Sequence, residues 1–265
     1  MAIGHVASGA AASVEVVQAQ VVGRGALERE RRFYVLASLV LLVVTAVGFR
    51  AFVLHGGSAF GAFTPQIVGL IVAHGLAMLG WVTLLFVQSL LIVTGRPRIH
   101  MMLGRAGVGL AAVIVIAGLA AGNRSAHFNP RLYDAFGGPR YFLAIMVSEM
   151  LTFGGFIAVG VGYRHRPEVH RPLMLLATVS AIGAAMARWP YMPWLTTAVK
   201  GNVWALVYGQ TLVLGALLFV LHAAMTRRGY RHYAVGYACL AVVSLLTVAI
   251  GSSAAWDRLA ALVVP

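Results

Sequence analysis

From Ala51 to Gly95 the chain runs 45 residues without one Asp, Glu, Lys or Arg. A helix crosses the hydrocarbon layer of a bilayer with about 20 consecutive apolar residues, and comparable runs follow this one to the end of the chain. Only 10% of the 265 residues are charged and 60% are hydrophobic, whereas soluble domains carry about 25% charged residues. The charges are too few to cover a soluble globule. No run shows the strict alternation of a membrane strand, and none is cut to about 10 residues. The fold class is therefore all-α, a polytopic membrane helical bundle.

Seven spans are expected, from Phe33 to about Leu54, Gln66 to Thr94, Ala106–Gly122, Tyr141–Tyr163, Pro172–Ala187, Asn202–Met225 and Tyr233–Gly251. The first two are separated by His55-Gly-Gly-Ser and Thr64-Pro65. Small residues recur within them (Gly104-x-x-Gly107, Gly118-x-x-x-Gly122, Gly183) and permit close approach of neighbouring helices. Residues 1–32 read as a cytoplasmic tail, disordered by composition, and residues 33–265 as the seven-helix transmembrane domain. Met1–Gln20 contains no Lys or Arg, so it lacks the basic start of a secretory signal.

The 20 basic residues against 7 acidic ones give a net charge of +13. They stand in short groups between apolar runs, which marks orientation rather than a nucleic-acid partner. The N-terminal segment and the 2–3, 4–5 and 6–7 connections hold 13 of them, and the opposite side holds 7. The positive-inside rule then puts the N-terminus in the cytoplasm. Nineteen of the 20 are Arg, a coding bias that fits a GC-rich bacterial source, and the expected location is a bacterial inner membrane. The lipid bilayer is the expected partner; protein partners are not legible. The single cysteine, Cys239, excludes an intrachain disulfide or a multi-cysteine zinc site, and no metal site is expected.

One pattern occurs twice. Arg96-Pro97-Arg98-Ile99-His100 joins helices 2 and 3, and Arg166-Pro167-Glu168-Val169-His170 joins helices 4 and 5, 70 residues later at the same topological position. Arg228-Gly-Tyr-Arg231-His232 keeps only the Arg-x-x-x-His spacing. A duplicated helical hairpin explains the pair. Proline stops the incoming helix, arginine reaches cytoplasmic headgroups, and histidine sits where free backbone N–H groups favour anions. Arg96, His100, Arg166 and His170 thus form a candidate inner-face site, with a well-made interfacial turn as the structural alternative.

A second candidate lies at membrane depth, where ionisable residues are costly. At about 1.5 Å per residue, His74, Glu149, Gln210 and Ser180 all fall roughly 12 to 13 Å from the outer boundary, in one layer. Arg188 stands at the rim above it, beside Trp189-Pro190. A carboxylate unpaired there would be protonated or expelled, so Glu149 is a candidate proton carrier, protonated or paired with His74 or Arg188. His74, Met78, Trp81, Leu85 and Gln88 share one face of helix 2, which either lines a pocket or packs as core. The Asn123–Arg140 connection reads as an exposed loop, with capping of an outward cavity as the alternative. Trp189, Tyr191, Trp194 and Trp256 read as interface anchors.

His100-Met-Met-Leu103-Gly104-Arg105 resembles the H-x-x-L-G-R signature of an uncharacterised bacterial multi-pass membrane family, a domain of unknown function. His170-Arg-Pro-Leu-Met174 and the run to Arg188 resemble that family's second segment. The likeness covers helices 2–5, with Met101 where the family carries a basic residue. It implies about seven helices and no established activity. His74-x-x-x-Met78-x-x-Trp81 is also similar to the opening of cytochrome b561-type helices, which implies b haem held by paired histidines. Bis-histidine ligation needs two imidazoles at one depth on facing helices. His74 has no such partner in its layer, whereas His100 and His170 form a pair if the hairpins adjoin.

No P-loop, HExxH or serine nucleophile elbow is present. The leading expectation is redox- or proton-linked handling of a small cofactor or quinone at the polar layer. A small-solute or proton-coupled transporter and a non-catalytic assembly or lipid-sensing factor are the alternatives.

Overall fold

A computed structural model describes residues 25–50, 64–189, 192–198, 202, 205–226 and 231–264. Among these residues there are helices and no strand. The elements are α1 (Gly25–Arg50), α2 (Pro65–Val93), α3 (Pro97–Phe128), a 3₁₀ segment (Pro130–Phe136), α4 (Pro139–Gly162), α5 (Pro167–Ser180), α6 (Gly183–Met186) and α7 (Met192–Ala198). A π-helical turn (Ala205–Gly209) then leads into α8 (Gln210–Thr226), followed by α9 (Arg231–Gly251) and α10 (Ala254–Ala260). Proline opens α2, α3, the 3₁₀ segment, α4 and α5. Its fixed φ suits the first helical turn, and its missing N–H is one that no helical carbonyl would have met.

Six helices (α1, α2, α3, α4, the π turn with α8, and α9) are long and apolar enough to cross a membrane. They carry large apolar side chains on their outer faces: Leu76 is 63% exposed, Ile116 69% and Leu217 61%. Such faces need lipid around them, and the architecture is a helical membrane bundle. The expected fifth span departs from the rest. Residues 172–187 are not one helix: α5 ends at Ser180, Ala181–Ile182 leave the helical path, and α6 adds one turn. The seventh long helix expected from the sequence is thus a broken pair.

Boundaries moved elsewhere too. Helix α1 begins at Gly25, so eight residues assigned to the tail belong to it; Ala26 is buried, and Glu30 forms an ion pair with Arg171 at 2.8 Å. The remainder of the tail, the His55–Ser58 break and Arg228–Tyr230 of the third basic loop lie outside the described residues. Helix α3 spans 32 residues rather than the 17 of Ala106–Gly122, because Arg105 and Arg124 project from its ends without stopping it.

Helices α2, α3, α4 and α5 pack in chain order, α9 packs across α4 and α5, and α8 closes on α5 and α9. The core runs from Phe33, Ala37 and Leu41 of α1 through Ile114, Phe153 and Leu176 to Tyr233. The C-terminus is clasped by Arg140, whose guanidinium donates to Asp257 and to the Val264 carbonyl at 3.1 Å each. Glycines set the closest approaches. A Cβ on Gly48 would overlap the Ala185 backbone carbonyl, so α1 crosses α6 backbone to backbone.

Replacing a helix-interior glycine by alanine normally adds up to about 1 kcal/mol of helix stability. Gly48→Ala should instead lower the melting temperature in detergent, whereas Gly109→Ala, which meets nothing within 4 Å, should hold or raise it. An equal rise in both variants would show that α1 does not cross α6 at this point.

Candidate functional site

The expected stripe on α2 faces the bundle interior and divides between two cavities. His74 and Met78 line one of about 200 Å³. Trp81, Leu85 and Gln88 line another of about 850 Å³. Between them the Trp81 Nε1–H donates to Thr178 Oγ1 at 3.0 Å, and Phe153 meets the indole edge-on at 5.2 Å. Thr178 Oγ1 in turn donates to the Met174 carbonyl at 3.2 Å. One side-chain hydrogen bond from α2 to α5 thus partitions the interior.

The larger cavity lies where α2 and α4 end and α3 and α5 begin. The duplicated motif builds it from the same parts twice. Arg96 and Arg166 take similar backbone angles before the first turn (φ −110°, ψ 57° and φ −114°, ψ 87°). Pro97 and Pro167 then open the helices, and the amides of His100 and His170 donate back to the Arg96 and Arg166 carbonyls. Each imidazole uses Nδ1 on a carbonyl of the preceding helix: His170 on Gly160 at 2.8 Å, His100 on Gln88 at a longer 3.4 Å. A carbonyl only accepts, so Nδ1 carries the proton and Nε2 a lone pair. Both rings line the one cavity.

Arg96 and Arg166 themselves are not part of that lining. Arg96 is exposed, and the Arg166 guanidinium lies 5.8 Å from the Tyr163 ring centre. Other arginines replace them: Arg31, Arg98, Arg105, Arg164 and Arg171. The sequence signal for these was the clustering of basic residues. Which of them turned inward depended on helix phase at the termini, and that was not legible.

The smaller cavity gathers His74, Glu149 and Arg188 and leaves out Ser180 and Gln210. Ser180 Oγ donates to the Ala177 carbonyl at 2.8 Å, and Gln210 donates to the Leu206 carbonyl, so both turn to their own helical backbone. Glu149 is buried, and among the described residues it forms no ion pair. The pairing of Glu149 with His74 or Arg188, which the sequence offered as an alternative to protonation, is not formed among the described residues: Arg188 donates to the Ala184 carbonyl and stands over the Phe49 ring at 4.8 Å. Glu149 Oε1 faces Gly183, at 3.2 Å from where a Cβ would sit. Two irregularities meet beside it, the break between α5 and α6 and the π turn at Ala205–Gly209. Irregular backbone at membrane depth is tolerated where it lines a cavity, and π turns concentrate at functional sites. Only the Gly183 flank hinted at the first; nothing in the sequence marked the second.

The 3₁₀ segment closes the smaller cavity, in line with the capping alternative. Tyr133 lines it, shares a short hydrogen bond with Ser125 and stacks on Phe142 at 3.9 Å between ring centres. Burial pushes the Tyr133 phenol above its ordinary range. Trp189 is not a free interface anchor, since its Nε1 donates to the Val44 carbonyl at 3.1 Å; Trp194 is 70% exposed.

No protein-family model, curated protein or solved structure matches this chain. The site is therefore read from its own geometry.

The Trp81–Thr178 bond carries a prediction. In a double-mutant cycle, Trp81→Phe and Thr178→Val should couple by about 1 kcal/mol, the net worth of one buried hydrogen bond. Additive losses in thermal stability would show that the indole and the hydroxyl do not meet.

Proposed function

We propose that this chain is a bacterial inner-membrane protein that binds a quinone-type amphiphile in the arginine-rich cavity and exchanges its hydroxyl protons through His100 and His170. In this reading the broken α5–α6 pair counts as a crossing, which makes seven, with the N-terminus and the cavity mouth on the cytoplasmic side. The grouping of Arg31, Arg98, Arg105, Arg164 and Arg171 at one end supports that orientation.

The observation that carries the proposal is the paired imidazoles. Each presents an Nε2 lone pair because its Nδ1–H is committed to a helix carbonyl. A hydroquinone headgroup offers two hydroxyl protons, and two lone-pair acceptors are what it needs to be held and deprotonated. The guanidinium groups stabilise negative charge on the ring oxygens. Trp81, Leu85, Ile157 and Met174 give the ring and tail an apolar lining. The chain's own part is proton transfer and positioning.

The same pair supports a second reading. Imidazoles whose Nδ1 is fixed by a carbonyl would also suit the iron of a b-type haem as ligands. His100 and His170 would hold the iron, and the arginines its carboxylates; when bound, the haem supplies one-electron chemistry. His74 does not fit this role, because its cavity contains no second histidine among the described residues.

The absorption spectrum of the purified full chain separates the two. A Soret band lost in His100→Ala and in His170→Ala assigns the cavity to haem. For the proposal, a colourless protein should bind a short-chain benzoquinol with quenching of Trp81 fluorescence. His100→Ala and His170→Ala should each weaken that binding by about tenfold, roughly 1.4 kcal/mol. A colourless protein whose benzoquinol binding ignores both substitutions contradicts the reading.

A further inference from the structure

The smaller cavity is lined by three methionines that the quinone reading does not use: Met78, one turn along α2 from His74, and Met146 and Met150 on α4. Gly118 and Gly122 of α3 make room for them. A Cβ on Gly118 would overlap Met150 Sδ and lie 2.8 Å from His74 Cε1, which seats the thioether beside the imidazole. A Cβ on Gly122 would lie 3.0 Å from Met146 Cβ.

The imidazole is set for coordination. His74 lies against the α3 backbone at Ile114. Its Nδ1 is buried and has no hydrogen-bond partner. Nδ1 is thus a ring nitrogen left without a partner, in a ring whose Cε1 lies beside Met150 Sδ. Histidine ligands of metals present one bare ring nitrogen to the ion. A buried ring nitrogen with no partner is otherwise a cost that the fold leaves unrelieved.

We infer that this cavity is a binding site for a soft monovalent metal ion, Cu(I), held by His74 Nδ1 and the thioethers of Met150, Met78 and Met146. Thioethers are poor ligands for hard divalent cations and good ones for Cu(I), which accepts low coordination numbers and mixed sulfur–nitrogen sets. Glu149 lines the same cavity without an ion pair among the described residues. A monovalent cation beside its carboxylate leaves no uncompensated charge at membrane depth.

The test is a competition titration of the purified full chain against a chromophoric Cu(I) chelator, with ascorbate to keep the copper reduced. Wild-type protein should retain one Cu(I) per chain, and X-ray absorption of the loaded protein should show sulfur in the first shell. His74→Leu and Met150→Leu should each weaken retention at least about tenfold, the low end of what even an outer partner of a metal ligand contributes. Met102→Leu, on the exposed face of α3 at 58% exposure, should change nothing. Met150→Leu conserves volume, so its melting temperature should match wild type and separate lost ligation from lost folding. No retained copper, a first shell of nitrogen and oxygen alone, or Met150→Leu binding as tightly as wild type would overturn the assignment.

Discussion

A hydrocarbon layer offers backbone N–H and C=O groups no partner, so every one of them must be met within the protein. That constraint explains both the regularity of the long helices and the few places where regularity stops. Across the break after α5 the amides of Ala181 and Ile182 fall back on the Thr178 and Val179 carbonyls, each at 3.3 Å. One turn of α6 follows, with Ala185 and Met186 bonded to Ile182. The facing irregularity is the π turn ahead of α8. Both border the cavity that holds Glu149, where departures from the helix are shielded from lipid.

Helical carbonyls have a second lone pair, and this protein uses it to set imidazoles. Gln88 and Gly160 fix the proton of His100 and His170 on Nδ1, whereas Nδ1 of His74 has no hydrogen-bond partner. The three rings therefore do not commit the same nitrogen. Two lone pairs meet in an arginine-lined space suited to a polar headgroup with an apolar tail. The third ring lies among thioethers. The Trp81–Thr178 bond keeps these chemistries apart along a single face of α2. The bundle thus sets two cavities of different lining along one stripe that a periodicity count alone would read as core.

Much of this was legible from the residues. Long uncharged runs reveal crossing helices because lipid imposes length and apolarity directly. The twice-used Arg-Pro-x-x-His pattern is local: proline, cap and first turn are set by neighbours in sequence, and both copies fold alike. His74 and Glu149 stood out because ionisable groups at depth are rare. Side-chain commitment was not legible. Ser180 and Gln210 have the right depth, but each satisfies itself on its own helix, and depth does not report azimuth. Arg96 and Arg166 occupy the motif yet cap helices outside the cavity, while Arg98, Arg105 and Arg171 turn toward it. The broken α5–α6 path depends on Gly183 meeting Glu149 and the π turn, contacts between segments distant in sequence. Met146 and Met150 escaped notice because thioethers carry neither charge nor depth cost, and Met78 stood out only by its place on the α2 stripe.

The tautomers bear most directly on this account, since both sites rest on which ring nitrogen is bare. Nitrogen-15 NMR of histidine-labelled protein in detergent reports that for each ring, with single-histidine substitutions to assign the signals. The structure requires the Nδ1–H form at His100 and His170, and the copper assignment requires the Nε2–H form at His74. The Nε2–H form at His100 or His170, or the Nδ1–H form at His74, would contradict it.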